Sequence, residues 1–366
     1  MMCGVTAPAQ AQFGLGGDEE TLGLRKLAES GDAEAQFQLG LRQVSGQGVT
    51  KAEPVEGASW IMKAARQEHE KAMHVLASLY ADGLGVEKSN AKFLEWEQKA
   101  ADKGLAQAQL GLAEAYDQGR GVDKDPSAGA EWAAKAADQD FDEAQAYFGA
   151  KLARGDGVPK DPAQAAGWFL KAAKQGHTGA QRQLAFLYYT GSGVPLDYRR
   201  CEAWYRRAAQ SEDDPWANND LAWFLSTCPD KEFHRGREAV TIAKRAIRIV
   251  QDKTGEQRHE MVDTMAAALA RNGQFAEAAL WQKRCIALLK EDKDIPNEDR
   301  AKLAKEFEGR LKLYTGQQPY ADEPAKPEGK AAPLRGDNVL DENENTSPGT
   351  PKNPEQKPKK KKGNVA

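Results

Sequence analysis

Apolar residues recur in this chain at offsets of zero, four and eight, and the whole set returns about every 36 residues. Ala72, Leu76 and Tyr80 form one row; Ala108, Leu112 and Tyr116, then Ala144, Phe148 and Leu152, then Ala180, Leu184 and Tyr188 form the next. That spacing lines one face of an α-helix. A small residue sits at offset five in each copy (Gly40, Ala77, Ala113, Gly149, Ala185), where a neighbouring helix can come close. Each row then runs into a Gly-x-Gly-Val turn: Gly46–Val49, Gly83–Val86, Gly119–Val122, Gly155–Val158 and Gly191–Val194. Glycine adopts the left-handed backbone that ends a helix. Gly83, Gly85, Gly119, Gly121, Gly155, Gly157, Gly191 and Gly193 are therefore read as structural.

A second helix follows in step. Glu53, Ser89, Asp125, Asp161 and Asp197 stand at its start, with Pro54, Pro126 and Pro162 next in three copies. Ser and Asp cap helix N-termini, and a proline in the first turn loses no hydrogen bond. Trp60, Trp96, Trp132, Trp168 and Trp204 come next, each followed by an alanine pair such as Ala64-Ala65 or Ala208-Ala209. This stripe predicts burial, with the indoles wedged between units at ~2–3 kcal/mol per copy. Gly104 and Gly176 close two of these helices. A single helix pair cannot bury its apolar face alone, so units of this period stack. Leu24–Gly31 reads as the second helix of a partial leading unit.

Beyond Trp204 the chain stays helical but loses the period. Ala217, Leu221, Ala222, Phe224 and Leu225 repeat the first-helix pattern, and Cys228-Pro229-Asp230 ends it. Arg237–Val250 is amphipathic, and His259–Leu289 is split by Asn272-Gly273 into two helices. Gly273, Phe275, Ala278 and Cys285 follow the glycine, aromatic, small, small spacing of a tetratricopeptide unit. Asp299–Tyr314 carries Leu303, Phe307, Leu311 and Tyr314 on one face and reads as a terminal cap. From 321 onward the composition shifts to Pro, Lys, Glu, Asn and Gly, which predicts a disordered tail. Its Lys359–Lys362 run has three readings: a solvated tail, a contact for an anionic surface, or a localisation signal.

The other terminus differs again. Ala9-x-Ala11 followed by Gln12-Phe13 resembles the end of a secretory signal. The expectation is an export signal whose charged and apolar parts lie upstream of Met1. That places the protein in the periplasm or outside the cell, with the cytoplasm as the alternative.

Composition then removes whole classes of chemistry. The 366 residues hold 51 basic and 55 acidic side chains, for a net charge of -4, which argues against a nucleic-acid binder. Mean hydropathy is -0.72 and no long apolar run occurs, so no transmembrane segment is expected. Four cysteines are too few to build a fold on disulfides. Cys201 and Cys285 occupy packing positions, and Cys228 sits in a turn without a sequence neighbour to activate it. Among His69, His74, His177, His234 and His259 no pair has the i, i+4 spacing of a zinc site. The Gly-x-Gly turns follow helices, not strands, which rules against a phosphate loop. No catalytic residue, cofactor or metal is expected.

The unit Ala180-Gln181-x2-Leu184-Ala185-x2-Tyr188-x2-Gly191-x-Gly193-Val194, then Trp204-Tyr205-x2-Ala208-Ala209, resembles the Sel-1-like repeat, a relative of the tetratricopeptide repeat. The likeness spans five copies over 32–211. Leu221 to Leu289 resembles divergent bacterial tetratricopeptide modules. The resemblance implies an all-α, right-handed α/α solenoid of helix–turn–helix repeats. Its parts are an export remnant or disordered start over 1–17, a partial repeat over 18–31, five repeats over 32–211, a tetratricopeptide-like module over 212–290, a capping helix over 291–320 and the tail over 321–366. It also implies a non-catalytic adaptor that binds a protein or peptide on its concave face. Gln36, Met73, Gln109, Gln145 and Gln181, one step into each first helix, are the candidate partner-binding ladder; the other reading has them touching the next repeat. The alternative function is an envelope-associated peptidoglycan binder or β-lactam hydrolase-like enzyme. Exported relatives of that kind carry paired cysteines in each repeat, and this chain lacks them.

Overall fold

The computed structural model describes residues 17–47, 52–211, 213–326 and, further on, 331, 332, 334, 336, 337, 339 and 340. The Ala9-x-Ala11 segment, Gly48-Val49 of the first turn and the Lys359–Lys362 run lie outside the described residues. All regular structure among the described residues is helical. The chain divides into two compact units, the first running to Leu196 and including 325–333, the second comprising 197–324 and the residues from Leu334.

The first unit opens with α1 (Gly17–Glu29). Four helix pairs follow: α2 (Ala33–Ser45) with α3 (Pro54–Arg66), α4 (Glu70–Asp82) with α5 (Asn90–Asp102), α6 (Ala106–Gln118) with α7 (Pro126–Ala137), and α8 (Asp142–Arg154) with α9 (Pro162–Lys174). The first helix of a fifth pair, α10 (Thr178–Thr190), completes it. The second unit holds α11 (Tyr198–Ala208), α12 (Pro215–Thr227), α13 (Gly236–Thr254), α14 (His259–Arg271), α15 (Phe275–Glu291) and α16 (Asn297–Thr315).

Local chemistry sets the helix ends. Ser89, Asp125, Asp161 and Asp197 accept hydrogen bonds from backbone N–H groups of the turns they start, whereas Glu53 makes no such cap. His69 and His177 cap α4 and α10 in the same way, each Nδ1 accepting from a backbone N–H three residues on. The loop within each pair is pinned once more. The capping residue of the second helix donates its N–H to a carbonyl near the end of the first, as in Ser89 to Tyr80 and Asp161 to Leu152, both at 2.8 Å.

The second glycine of each turn is where one repeat meets the one before it. Gly157 has φ +75°, and a Cβ built on it would fall 1.9 Å from the Pro126 carbonyl oxygen in the first turn of α7. Gly85 and Gly121 bear on Pro54 and Asn90 in the same manner. The alanine pairs of the first four copies are fully buried, as expected from their phase, and in the fifth Ala208 is buried while Ala209, at the helix end, is half-buried.

The tryptophans depart from expectation. Trp204 is buried, but Trp60, Trp96, Trp132 and Trp168 are only half-buried. They do lie at the junctions: Trp60 packs on Ala28 of α1 with Ala35 and Leu39, and Trp168 packs on Ala136, Ala137 and Phe148. Close helix approach is made by the alanines, which leaves each indole at the rim. A lysine three residues on covers its outer face, with Nζ of Lys63, Lys99, Lys135 and Lys171 at 3.6, 4.3, 3.8 and 3.6 Å from the ring centroid.

In the second unit the core gathers around Phe224, whose ring meets those of Tyr198, Tyr205 and Phe233. Those contacts, with the Arg206–Glu238 pair at 2.6 Å, tie α11 to α12 and α13. The division between the two compact units therefore falls inside the fifth copy. Val262, Cys285, Leu289 and Phe307 form a further cluster among α14, α15 and α16. The tail expected from 321 also keeps ordered contacts past that point. Asp322 donates its N–H to Thr227 O at 2.8 Å, Asp337 accepts from Trp204 Nε1 at 3.3 Å, and Val339 is buried.

Candidate functional site

The ladder of first-helix glutamines is internal. Gln36, Gln109, Gln145 and Gln181 are buried, as is Met73, so the candidate partner-binding assignment of all five is corrected. Each glutamine donates through Nε2 to a carbonyl at the C-terminus of the preceding helix: Ala28, Ala101, Ala137 and Ala173, at 3.0 to 3.4 Å. Their Oε1 atoms accept from Gln67, Gln139 and Gln175 in the first three glutamine copies. The carboxamide thus satisfies a helix-end carbonyl and joins successive repeats. Buried side chains used in this way face the neighbouring repeat.

A different set of residues breaks the repeat phase in copies two to four, and these breaks meet. Glu97 stands where the sister copies carry Ile61, Ala133, Phe169 and Tyr205. Lys151 stands where they carry Arg42, Leu79, Ala115 and Leu187, and Asp117 where they carry Val44, Ala81, Ala153 and Tyr189.

Glu97 is 1% exposed on α5, with His74 Nδ1 of α4 at 3.0 and 3.1 Å from its two oxygens. Gly111 of α6 makes the room, since a Cβ there would lie 1.8 Å from Glu97 Oε1. Burial pushes the Glu97 carboxyl above the usual carboxylate range. Burial opposes charge on His74, but the hydrogen bond and the negative charge of Glu97 outweigh it and hold the imidazole above its ordinary 6.5.

The second cluster joins α6 to α8. Lys151, 1% exposed, places Nζ 2.7 and 2.8 Å from the Asp117 oxygens and 3.5 Å from Asp156. Tyr147 donates its hydroxyl to Asp117 Oδ2. Burial first, then the Asp117 acceptor, raises the phenol well beyond its ordinary value. Glu114 of α6 bridges the two clusters: its carboxyl is pushed up by burial and by Asp117 and pulled down by Arg120, and Glu97 feels both Glu114 and Arg120. The result is one polar seam across the first helices α4, α6 and α8 of three successive repeats, with Glu97 reaching it from the second helix α5.

The seam gives stability a pH slope whose sign follows from these shifts. A group held above its unfolded value favours the folded state while protonated and loses that contribution as pH climbs through the folded value. His74 and Glu97 both act in this direction. Thermal melting is therefore expected to fall as pH rises above 4.5, through Glu97, and further as it rises above 6.5, through His74. The double variant His74→Leu/Glu97→Ala, which takes Leu110 and Ala133 of the next copy, should flatten that slope. An unchanged slope in the variant would place its source elsewhere.

Nucleophilic chemistry is not supported at the cysteines. Cys201, Cys228 and Cys285 are all buried; burial raises each thiol, Cys228 to about 12. Cys228, expected in a turn, is packed inside, with His234 Nε2 2.7 Å from its carbonyl oxygen. Among the described residues no group of three or more His, Cys, Asp or Glu is placed to hold a metal, and no helix is long and apolar enough to cross a membrane.

The family model for the Sel1 repeat matches residues 33–69, 70–105, 106–141, 142–177 and 178–213. Among solved structures, c5321, a protective antigen present in uropathogenic Escherichia coli strains displaying an SLR fold, is 24% identical with a TM-score of 0.58, over 83% of this chain and 76% of that one. A Sel1 repeat protein from Oxalobacter formigenes is 24% identical with a TM-score of 0.53, over 62% of this chain and 96% of that one. Both likenesses speak to the fold. No curated protein matches the chain.

Proposed function

We propose that this chain, which belongs to the Sel1-repeat proteins, is a non-catalytic scaffold that docks a protein or peptide along the seam of copies two to four. Sel1 repeats are protein-interaction modules, and the finer assignment rests on one observation. Lys151 and Asp117 form a buried ion pair, and no sister copy has a lysine–aspartate pair at the two positions, which carry Leu79, Ala115 and Leu187 or Arg42 at the first and Val44, Ala81, Ala153 or Tyr189 at the second. A buried pair is weak evidence for stability, because its desolvation offsets its attraction. Stacking does not require it, since the other copies stack without it. Glu97 and Lys151 are buried, so what a partner can reach is the part-exposed Glu114, Asp117, Tyr147 and Asp156 with Arg120 beside them, and a partner rich in hydrogen-bond donors fits that set.

A photo-crosslinking phenylalanine analogue placed at Tyr147, compared with one at Trp132 in the native host, tests this. Discrete adducts from position 147 and none from 132 are expected. The same adducts from both, or adducts from 132 alone, would count against the seam. Export is part of the same reading and rests on Ala9-x-Ala11 alone. A mature protein beginning at Gln12 supports it, and one retaining Met1 ends it.

A further inference from the structure

The second unit carries a groove that the seam does not explain. It encloses about 550 Å³ and runs along α12, α14 and α16, with Asn219, Trp223, Glu260, Asp263, Glu306 and Arg310 in its lining.

Arg310 is the lining's one lysine or arginine, and it is already committed. Its Nη2 lies 2.9 Å from Asp263 Oδ2 and its Nε donates to Oδ1 at 3.0 Å. The guanidinium also lies over the rings of Phe307, Tyr320 and Trp223, at 5.0, 5.2 and 5.4 Å. With that pair neutralised, Glu260 and Glu306 leave the groove negative. Glu260 has a buried Oε2 that accepts no hydrogen bond, although His259 and Arg258 lie within ion-pair distance of its carboxylate.

Asn219 supplies an observation independent of charge. It is 9% exposed, lines the groove, and its Oδ1 has no hydrogen-bond partner. A buried acceptor left unmade costs about 1–3 kcal/mol, so the site stores an incentive for a donor. The same face already holds backbone without regular structure. Residues 320–322 lie against it, with Tyr320 O accepting from Arg271 Nη2 at 2.7 Å and Asp322 accepting from Trp223 Nε1 at 3.1 Å.

We infer that this groove binds a peptide segment of a partner protein that carries lysine or arginine. A backbone N–H of the segment donates to Asn219 Oδ1. Its cationic side chain is drawn to Glu260 and Glu306, beside aromatic walls of the kind that already hold one guanidinium. This site is separate from the seam and stands without it.

The test is fluorescence anisotropy on the full chain with two labelled peptides of about ten residues, one alternating lysine and alanine, the other glutamate and alanine. Saturable binding of the lysine peptide alone is expected. Asn219→Leu, which changes no charge, and Glu306→Gln, on the exposed side of α16, should each weaken it by about 10-fold or more. Circular dichroism confirms that each variant is folded, and the surface position of Glu306 keeps one arm informative if Asn219→Leu is not. No saturable binding, or binding that neither substitution changes, would overturn the inference. A full chain with Lys359–Lys362 replaced by glutamine provides the last arm. Unchanged affinity supports an external partner, while a large gain would assign the groove to the chain's own tail and end the partner reading.

Discussion

Gly157→Ala is expected to lower stability by about 3 kcal/mol or more, while Gly176→Ala costs about 1–2 kcal/mol. Both glycines have positive φ, +75° and +99°, so both substitutions carry the strain of a side chain in left-handed backbone. The surroundings differ. A Cβ at Gly157 would meet Pro126 O at 1.9 Å and Pro126 C at 2.3 Å, and both are backbone atoms that cannot swing away. A Cβ at Gly176 would meet nothing within 4 Å. The difference between the two variants therefore isolates the contact between one repeat's turn and the previous repeat's second helix. In a stacked array that contact is a nearest-neighbour coupling, so its loss also lowers cooperativity. Urea unfolding of the two variants side by side checks this, and equal losses would mean that the turn glycines serve backbone conformation only.

Asp117→Ala alone is expected to cost about 3–5 kcal/mol, because it leaves the buried Lys151 ammonium without its main partner. Asp156 at 3.5 Å is too long and too exposed to replace it. The triple variant Asp117→Ala/Tyr147→Phe/Lys151→Leu should behave quite differently. It restores the alanine and leucine of the sister copies and removes the hydroxyl that Asp117 accepts from. Replacing a buried ion pair by apolar groups is often neutral or stabilising, so this variant should melt within about 1 kcal/mol of the parent or above it. Calorimetry of the single and triple variants gives the comparison. A triple variant as unstable as the single one would make the seam a structural element of this repeat.

Much of the fold is legible in the sequence because it depends on spacing. The helix pairs, the capped starts at Ser89, Asp125 and Asp161, and the turn glycines all follow from period and residue type. What spacing does not reveal is how a polar side chain at a constant phase is satisfied. Gln181 reads as a surface group, yet its carboxamide reaches a helix-end carbonyl, Ala173 O. Met73 in the same position was the available sign that this phase is interior. The helical stripe predicts burial of the tryptophans, yet four of the five are half-buried. The lysine that follows each at i+3 from Trp60 to Trp168 marked a rim position instead. The seam was readable in principle by comparing copies rather than scanning for motifs, since Glu97, Asp117 and Lys151 each replace an apolar residue of a sister repeat. The contacts of Asp322 and Asp337 were not readable, because composition alone does not show that a Pro- and Lys-rich segment has acidic residues held by Trp223 and Trp204.

On the proposed reading the seam serves recognition and not stacking. Partner capture from the native host, done in parallel with the parent chain and the folded Asp117→Ala/Tyr147→Phe/Lys151→Leu variant, tests it most directly. Loss of the proteins that crosslink through position 147, with melting unchanged, is the predicted result. Undiminished capture of those proteins by the variant would contradict it.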